Sequence, residues 1–100
     1  MSVNMKMIQQ MQTRLESMQR ELAETIVEGT AGGGVVRAQV TGSRDFHGIA
    51  IDPSVVDPDD VEVLEDLITV AIQDAMNRAT ALAEEKMGAV TGGMRIPGLM

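Results

Sequence analysis

Apolar residues recur along the second half of the chain at Val61, Leu64, Leu67, Ile68, Ala71, Ile72, Ala75, Ala79, Leu82 and Ala83, in steps of three and four. That spacing is one stripe of a helix. Asp66, Thr69, Gln73, Asn77, Thr80 and Glu84 fall on the opposite face. Asp57 stands where an N-cap belongs, and Pro58 follows at the first helical position, where its missing N–H costs nothing. Asp59, Asp60 and Glu62 then set negative charge on the positive end of the helix dipole. The pattern predicts one helix of roughly 33 residues from Pro58 to about Val90, with a fray or stop at Gly88. At about 1.5 Å per residue it would be ~50 Å long. A compact chain of this length has a radius of gyration of only about 13 Å. Such a helix either overhangs into solvent or lies on a surface that another subunit supplies. Lys86 falls near the centre of the stripe. Either the packed part ends about Leu82, or the lysine lays its stem on apolar surface and keeps its head in water.

A second amphipathic helix is predicted from about Val3 to Glu24. Ile8, Met11, Leu15, Met18 and Leu22 form an a/d seam, suited to a coiled coil or a helical hairpin. Lys6, Gln10, Thr13, Ser17, Arg20 and Glu24 take the outer face, with Arg14 on its flank. The period then changes. Thr25–Ala31 reads as a strand ending at Gly32, Gly33 and Gly34. In Val35–Thr41, Val36, Ala38 and Val40 share one face of a second strand. Gly42-Ser43 is a two-residue hairpin signal of the II′ kind. A third strand runs from about Arg44 to Asp52, and Gly48 within it marks a bulge or a close backbone approach. The elements make an α+β subunit in the order α-β-β-β-α, with a three-stranded antiparallel meander whose open edges suit pairing with a second subunit. Residues 1–90 form a single domain, and 91–100, with Gly92, Gly93, Pro97 and Gly98, read as a flexible tail.

Composition sharpens this picture. The hundred residues contain nine methionines, one phenylalanine and no tryptophan or tyrosine. A core of alanine, valine and methionine is weakly specified by shape, which favours stabilisation by subunit association. With no cysteine there is no disulfide and no thiolate metal site. The N-terminus lacks the apolar core of a signal peptide, and no apolar run approaches the roughly 20 residues of a membrane span. A cytoplasmic, soluble protein is expected. The net charge of −7 is uneven: residues 1–50 balance, and Asp57–Asp74 contains seven acids and no base. A polyanion would have to meet the N-terminal helix or the helix tips.

Catalytic constellations are missing. Gly32-Gly33-Gly34 lacks the lysine of a phosphate loop and precedes a strand, so a hairpin turn explains it. His47 is the only histidine, which excludes a histidine–cysteine zinc site. Asp57, Asp59 and Asp60 lack the glycine and distal glutamate of a calcium loop. None of Ser2, Ser17, Ser43 and Ser54 has the surroundings of an activated nucleophile. The chain reads as non-enzymatic, with no metal, cofactor or small-molecule substrate.

Several stretches, in order and with matching gaps over nearly the whole chain, carry a family likeness. They are Met7-Ile-Gln-Gln-Met-Gln12, Glu28-Gly29, Ala31-Gly-Gly-Gly-Val-Val36, Ile51-Asp-Pro-Ser54, Leu64-Glu-Asp-Leu-Ile68, Ala83-Glu-Glu-Lys-Met87, Thr91-Gly-Gly93 and Pro97-Gly-Leu99. The chain resembles the YbaB/EbfC family of small bacterial nucleoid-associated proteins. Arg95-Ile96 and Met100 depart mildly from the family pattern. The resemblance implies a tight, tweezer-like homodimer with protruding helices, which binds duplex DNA with limited sequence preference in the nucleoid.

Charge and helix position select Lys6, Arg14 and Arg20 as the leading DNA contacts, with Arg78 and Lys86 on the distal part of the long helix next. Leu64, Ile68, Ala71 and Ala75 join the seam of the first helix as dimer or helix-packing positions. A phosphate-dominated contact needs no base-reading constellation and weakens steeply with salt. The scarcity of aromatic residues argues against a stacking platform for single strands. The alternative is a dimeric helical adaptor for replication or recombination proteins with little DNA binding of its own, supported by the acidic face and the methionine seam.

Overall fold

The alternation of Val36, Ala38 and Val40 becomes the middle strand of a sheet, and all three side chains are fully buried. In the computed structural model, which describes residues 5–90, helix α1 (Met5–Glu24) is followed by β1 (Ile26–Ala31), β2 (Val36–Thr41) and β3 (Phe46–Ile51). A single 3-10 turn, Pro53–Val55, leads to helix α2 (Val61–Val90). The sheet is antiparallel in the order β1-β2-β3. This is the expected α-β-β-β-α meander. The predicted start at Val3 and the predicted tail at 91–100 lie outside the described residues.

Helix α2 packs chiefly on β1 and β2. Ala71, Ala75 and Ala79, four residues apart, are fully buried against the valine face of the sheet. Small residues on both sides let the backbones approach. A Cβ on Gly29 would overlap the backbone of Ala75 and Ala71. The approach also brings Asp74 to the rim of the sheet, where its Oδ2 accepts the Thr30 N–H at 2.9 Å. An otherwise open donor of the β1 edge is thereby closed. That hydrogen bond, more than the neighbouring Arg78, holds the Asp74 carboxyl below its ordinary pKa.

Four local expectations need correction. Helix α2 begins at Val61 rather than Pro58 and spans 30 residues. Asp57 caps a tight turn instead: its Oδ1 accepts the Asp59 N–H at 2.9 Å and its carbonyl accepts the Asp60 N–H at 3.0 Å. Gly88 neither frays nor stops the helix, which continues to Val90. The β2–β3 hairpin is also not a two-residue II′ turn. Arg44 donates its N–H to Thr41 at 2.8 Å, Thr41 donates to Asp45 at 2.8 Å, and the left-handed residue is Arg44, with φ 69°. The loop therefore has three residues closed by a left-handed one. Gly42 answers a different need, because a Cβ there would lie 2.8 Å from the Leu22 carbonyl oxygen. The third strand is shorter than predicted, at Phe46–Ile51, and its register slips between Gln39 and Val40, which leaves His47 as the extra residue of a bulge. By contrast, Gly32, Gly33 and Gly34 all have positive φ, as the β1–β2 turn requires.

The shape is elongated. The radius of gyration is 18.8 Å and the extents are 70 × 28 × 16 Å. The sheet and the first part of α2 form a body; the last turns of α2, with α1 packed beside them, form an arm.

Candidate nucleic-acid interface

The arm is built from the a/d seam of α1, and only part of that seam is covered. Met18 and Leu22 are buried and Leu15 is half-buried, whereas Met11 is 47% and Ile8 37% exposed. The first turns of α1 thus overhang with no cover from the described residues. On α2, Ala71 and Ala75 are buried while Leu64 and Ile68 are half-buried over the sheet. These belong to the body rather than the arm.

The five cations picked from the sequence separate into two groups. Lys6 and Arg20 are exposed on the outer side of α1, and Arg14 is exposed on its flank. At about 1.5 Å per residue, Arg14 stands ~12 Å along the axis from Lys6, and Arg20 ~9 Å farther on. On α2, Arg78 and Lys86 each meet a carboxylate. The Arg78 Nε donates to Asp74 Oδ2 at 3.1 Å, and the Lys86 Nζ donates to Glu21 Oε1 of α1 at 3.1 Å. The stripe of α2 therefore does not end at Leu82. Ala83 and Lys86 continue it half-buried, and the lysine head meets a carboxylate rather than only water. The Asp74–Arg78 pair was legible as an i, i+4 spacing. The Glu21–Lys86 pair, 65 residues apart, was not.

Charge divides along the same line. Ten of the fifteen acids lie between residues 25 and 74, with only Arg37 and Arg44 as bases there, while among the described residues outside that span five bases meet five acids. The body is a strongly acidic object and the arm is close to neutral, with Lys6, Arg14 and Arg20 exposed on α1. Asp52 adds to the body's charge, since its carboxylate accepts the Ser54 N–H at 2.9 Å and its pKa is lowered by that bond.

A groove of about 400 Å³ runs between the two helices of the arm, bordered by Arg14, Ser17, Glu21 and Lys86. A second concavity, of about 490 Å³, lies along α1 beside Lys6, Gln9, Gln10, Thr13 and Arg14. No set of three or more histidine, cysteine or acidic side chains converges on a possible ion among the described residues. No described helix is long and apolar enough to cross a membrane.

A second surface lies on the sheet. Phe46, Ile49 and Ile51 stand opposite Val40, Ala38 and Val36, on the core-facing side of the sheet. Because α2 rests on β1 and β2, this side of β3 is left open: Phe46 is 57% exposed and Ile49 39%. Sequence reasoning named the open edges of the meander for pairing with a second subunit but listed seam residues on the helices alone. The signal was present, in the only aromatic side chain.

Residues 1–94 match the YbaB/EbfC DNA-binding family. A relative named "Nucleoid-associated protein" from Chloroflexus aurantiacus is 55% identical over 91 residues, which are 91% of each chain. One from Mycobacterium tuberculosis, with the same name, is 48% identical over 97 residues, covering 97% of this chain and 73% of that protein. In fold, the chain is similar to the crystal structure of uncharacterized protein HP0035 from Helicobacter pylori. The TM-score is 0.66, with 20% identity and 89% of both chains covered.

Proposed function

The chain belongs to the YbaB/EbfC DNA-binding family, and from that premise we propose that it is a nucleoid-associated protein, a homodimer that grips duplex DNA through phosphate contacts. The observation that carries this reading is the division of charge. Lys6, Arg14 and Arg20 lie exposed on the arm, outside the stretch 25–74 that carries ten of the fifteen acids. Duplex DNA is repelled by the body and drawn to the arm. Cations spaced along a helix, with no planar base-reading set and no aromatic platform, give contacts of limited sequence preference. The protein acts in the bacterial nucleoid, within the cytoplasm, and without catalysis; its family is a DNA-binding family rather than an enzyme family.

The open side of β3 supplies the dimer. Phe46, Ile49 and Ile51 form an apolar strip at the free edge of the sheet, and a two-fold axis there would cover both copies' strips at once. Two arms would then project from one body, the arrangement of a pair of tweezers.

The test is binding to labelled duplexes of two unrelated sequences across a salt series. Similar affinities that fall with salt are expected, with a slope of about 0.9 per phosphate contact. A strong preference between the duplexes, or no binding at low salt, would refute the reading. In the second case the adaptor alternative gains, because Val56, Val61 and Val63 lie exposed among the acids at the start of α2 and would suit a basic, apolar segment of a replication or recombination protein.

A further inference from the structure

We propose that the groove between the two helices of the arm is a seat for one phosphodiester group, formed by Arg14, Ser17 and Lys86, and that Glu21 is its built-in competitor. The inference rests on the DNA-binding reading and adds to it a specific site and its control.

The observations are these. Arg14, Ser17, Glu21 and Lys86 border a single groove of about 400 Å³, large enough for a tetrahedral oxyanion and open to solvent along the arm. Arg14 is exposed, with no ion pair to any described residue. The Ser17 hydroxyl is exposed one turn away on the same side of α1. The third donor, the Lys86 ammonium, reaches across from α2 and retains 29% of its side-chain exposure. A guanidinium, a hydroxyl and an ammonium on residues that line one groove from two helices are the donor set an oxyanion needs. One feature opposes it: Glu21 Oε1 sits 3.1 Å from the Lys86 Nζ and takes the charge-assisted bond that a phosphate oxygen would take. The carboxylate itself is 62% exposed, so it swings into water at little cost when a phosphate arrives. Glu21 thus keeps Lys86 from gathering small anions and yields it to a polyanion, whose other phosphates are already held by α1.

The experiment compares duplex binding by the full chain with that of Glu21→Gln, Glu16→Gln and the double variant Glu21→Gln/Lys86→Gln. Glu16→Gln removes the same charge from α1 without releasing a lysine, since Glu16 has no ion pair to a described residue. We expect Glu21→Gln to bind at least threefold tighter than Glu16→Gln, with a salt slope steeper by about 0.9, the mark of one more phosphate contact. The double variant should lose both gains. Circular dichroism of each variant checks that the arm remains helical. Equal effects of Glu21→Gln and Glu16→Gln, or a gain that persists in the double variant, would overturn the seat while leaving the DNA reading intact. Failure of the parent chain to bind would remove the DNA reading and the seat together. A competition arm names the source of the oxyanion: if inorganic phosphate displaces DNA far better than chloride at matched ionic strength, the groove serves a free anion and the phosphodiester assignment fails.

Discussion

Where α2 crosses the sheet, it lies so close that a single methyl group on Gly29 has no room; some 16 Å farther along the same helix, by a rise of about 1.5 Å per residue, it meets α1 through side chains and one ion pair. In the body, alanines and a glycine bring backbone onto backbone, and Asp74 closes one donor at the rim. In the arm, Met18 and Leu22 of α1 are buried, and the Glu21–Lys86 pair links the two helices. The body therefore tolerates little change and offers DNA mostly negative charge. The arm is held loosely enough to vary its outer face, and that face carries the bases. One helix serves both regimes because its residues shrink to alanine over the sheet.

The comparison can be broken at its firm end first. Gly29→Val should destabilise the body by about 3 kcal/mol or more, since the new side chain must displace α2. Thermal unfolding followed by circular dichroism measures this, and an unchanged midpoint would mean that the helix does not press on β1. Next in size is the open strip of β3. If the proposed dimer forms there, the parent chain should sediment as a dimer at micromolar concentration and Phe46→Asp as a monomer, with secondary structure retained.

At the arm the effects are on binding rather than on folding. Arg14→Ala and Arg20→Ala should each weaken duplex binding and lower the salt slope by about 0.9. Their cost to stability should stay within about 0.5 kcal/mol, as for exposed surface positions. Arg78→Ala, whose guanidinium is tied to Asp74, should weaken binding less than either. A larger loss from Arg78 would erase the distinction between engaged and available cations.

The smallest effect concerns pH. The folded state lowers the pKa of Asp74, so the unfolded chain takes up its proton first as pH falls. Its stabilising contribution is therefore complete above the ordinary carboxylate range and is lost as pH drops through the lowered value. Asp74→Asn should flatten the acid limb of the stability profile while leaving the neutral fold in place, which equilibrium unfolding at a series of pH values would show.

Much of this architecture could be read from the chain, because its signals are local. The 3.6-residue stripe of α2, the two-residue alternation of Val36, Ala38 and Val40, and the three glycines of the β1–β2 turn each report on their own neighbourhood. What escaped was decided at a distance. Asp57 and Pro58 carry every local mark of a helix start, yet Asp57 bonds Asp59 in a turn and the helix waits until Val61. Gly42 looked like a left-handed turn residue but is required by Leu22, which lies on another element. The cations were identified by type, but whether each was engaged depended on partners: Asp74 was close in sequence, and Glu21 was not. The apolar strip of β3 is visible only once α2 is seen to cover two strands of three.

The closure of the Thr30 N–H by Asp74 also bears on how an assembly would grow through the sheet. A sheet with two open edges can add copies at both and grow into a ribbon. Here one donor of the β1 edge is already taken by a side chain of the same chain, whereas no side chain of α2 covers β3 in the same way. In the dimer proposed through β3, that bond would stand on each outer edge, where a third copy would have to displace it before it could pair.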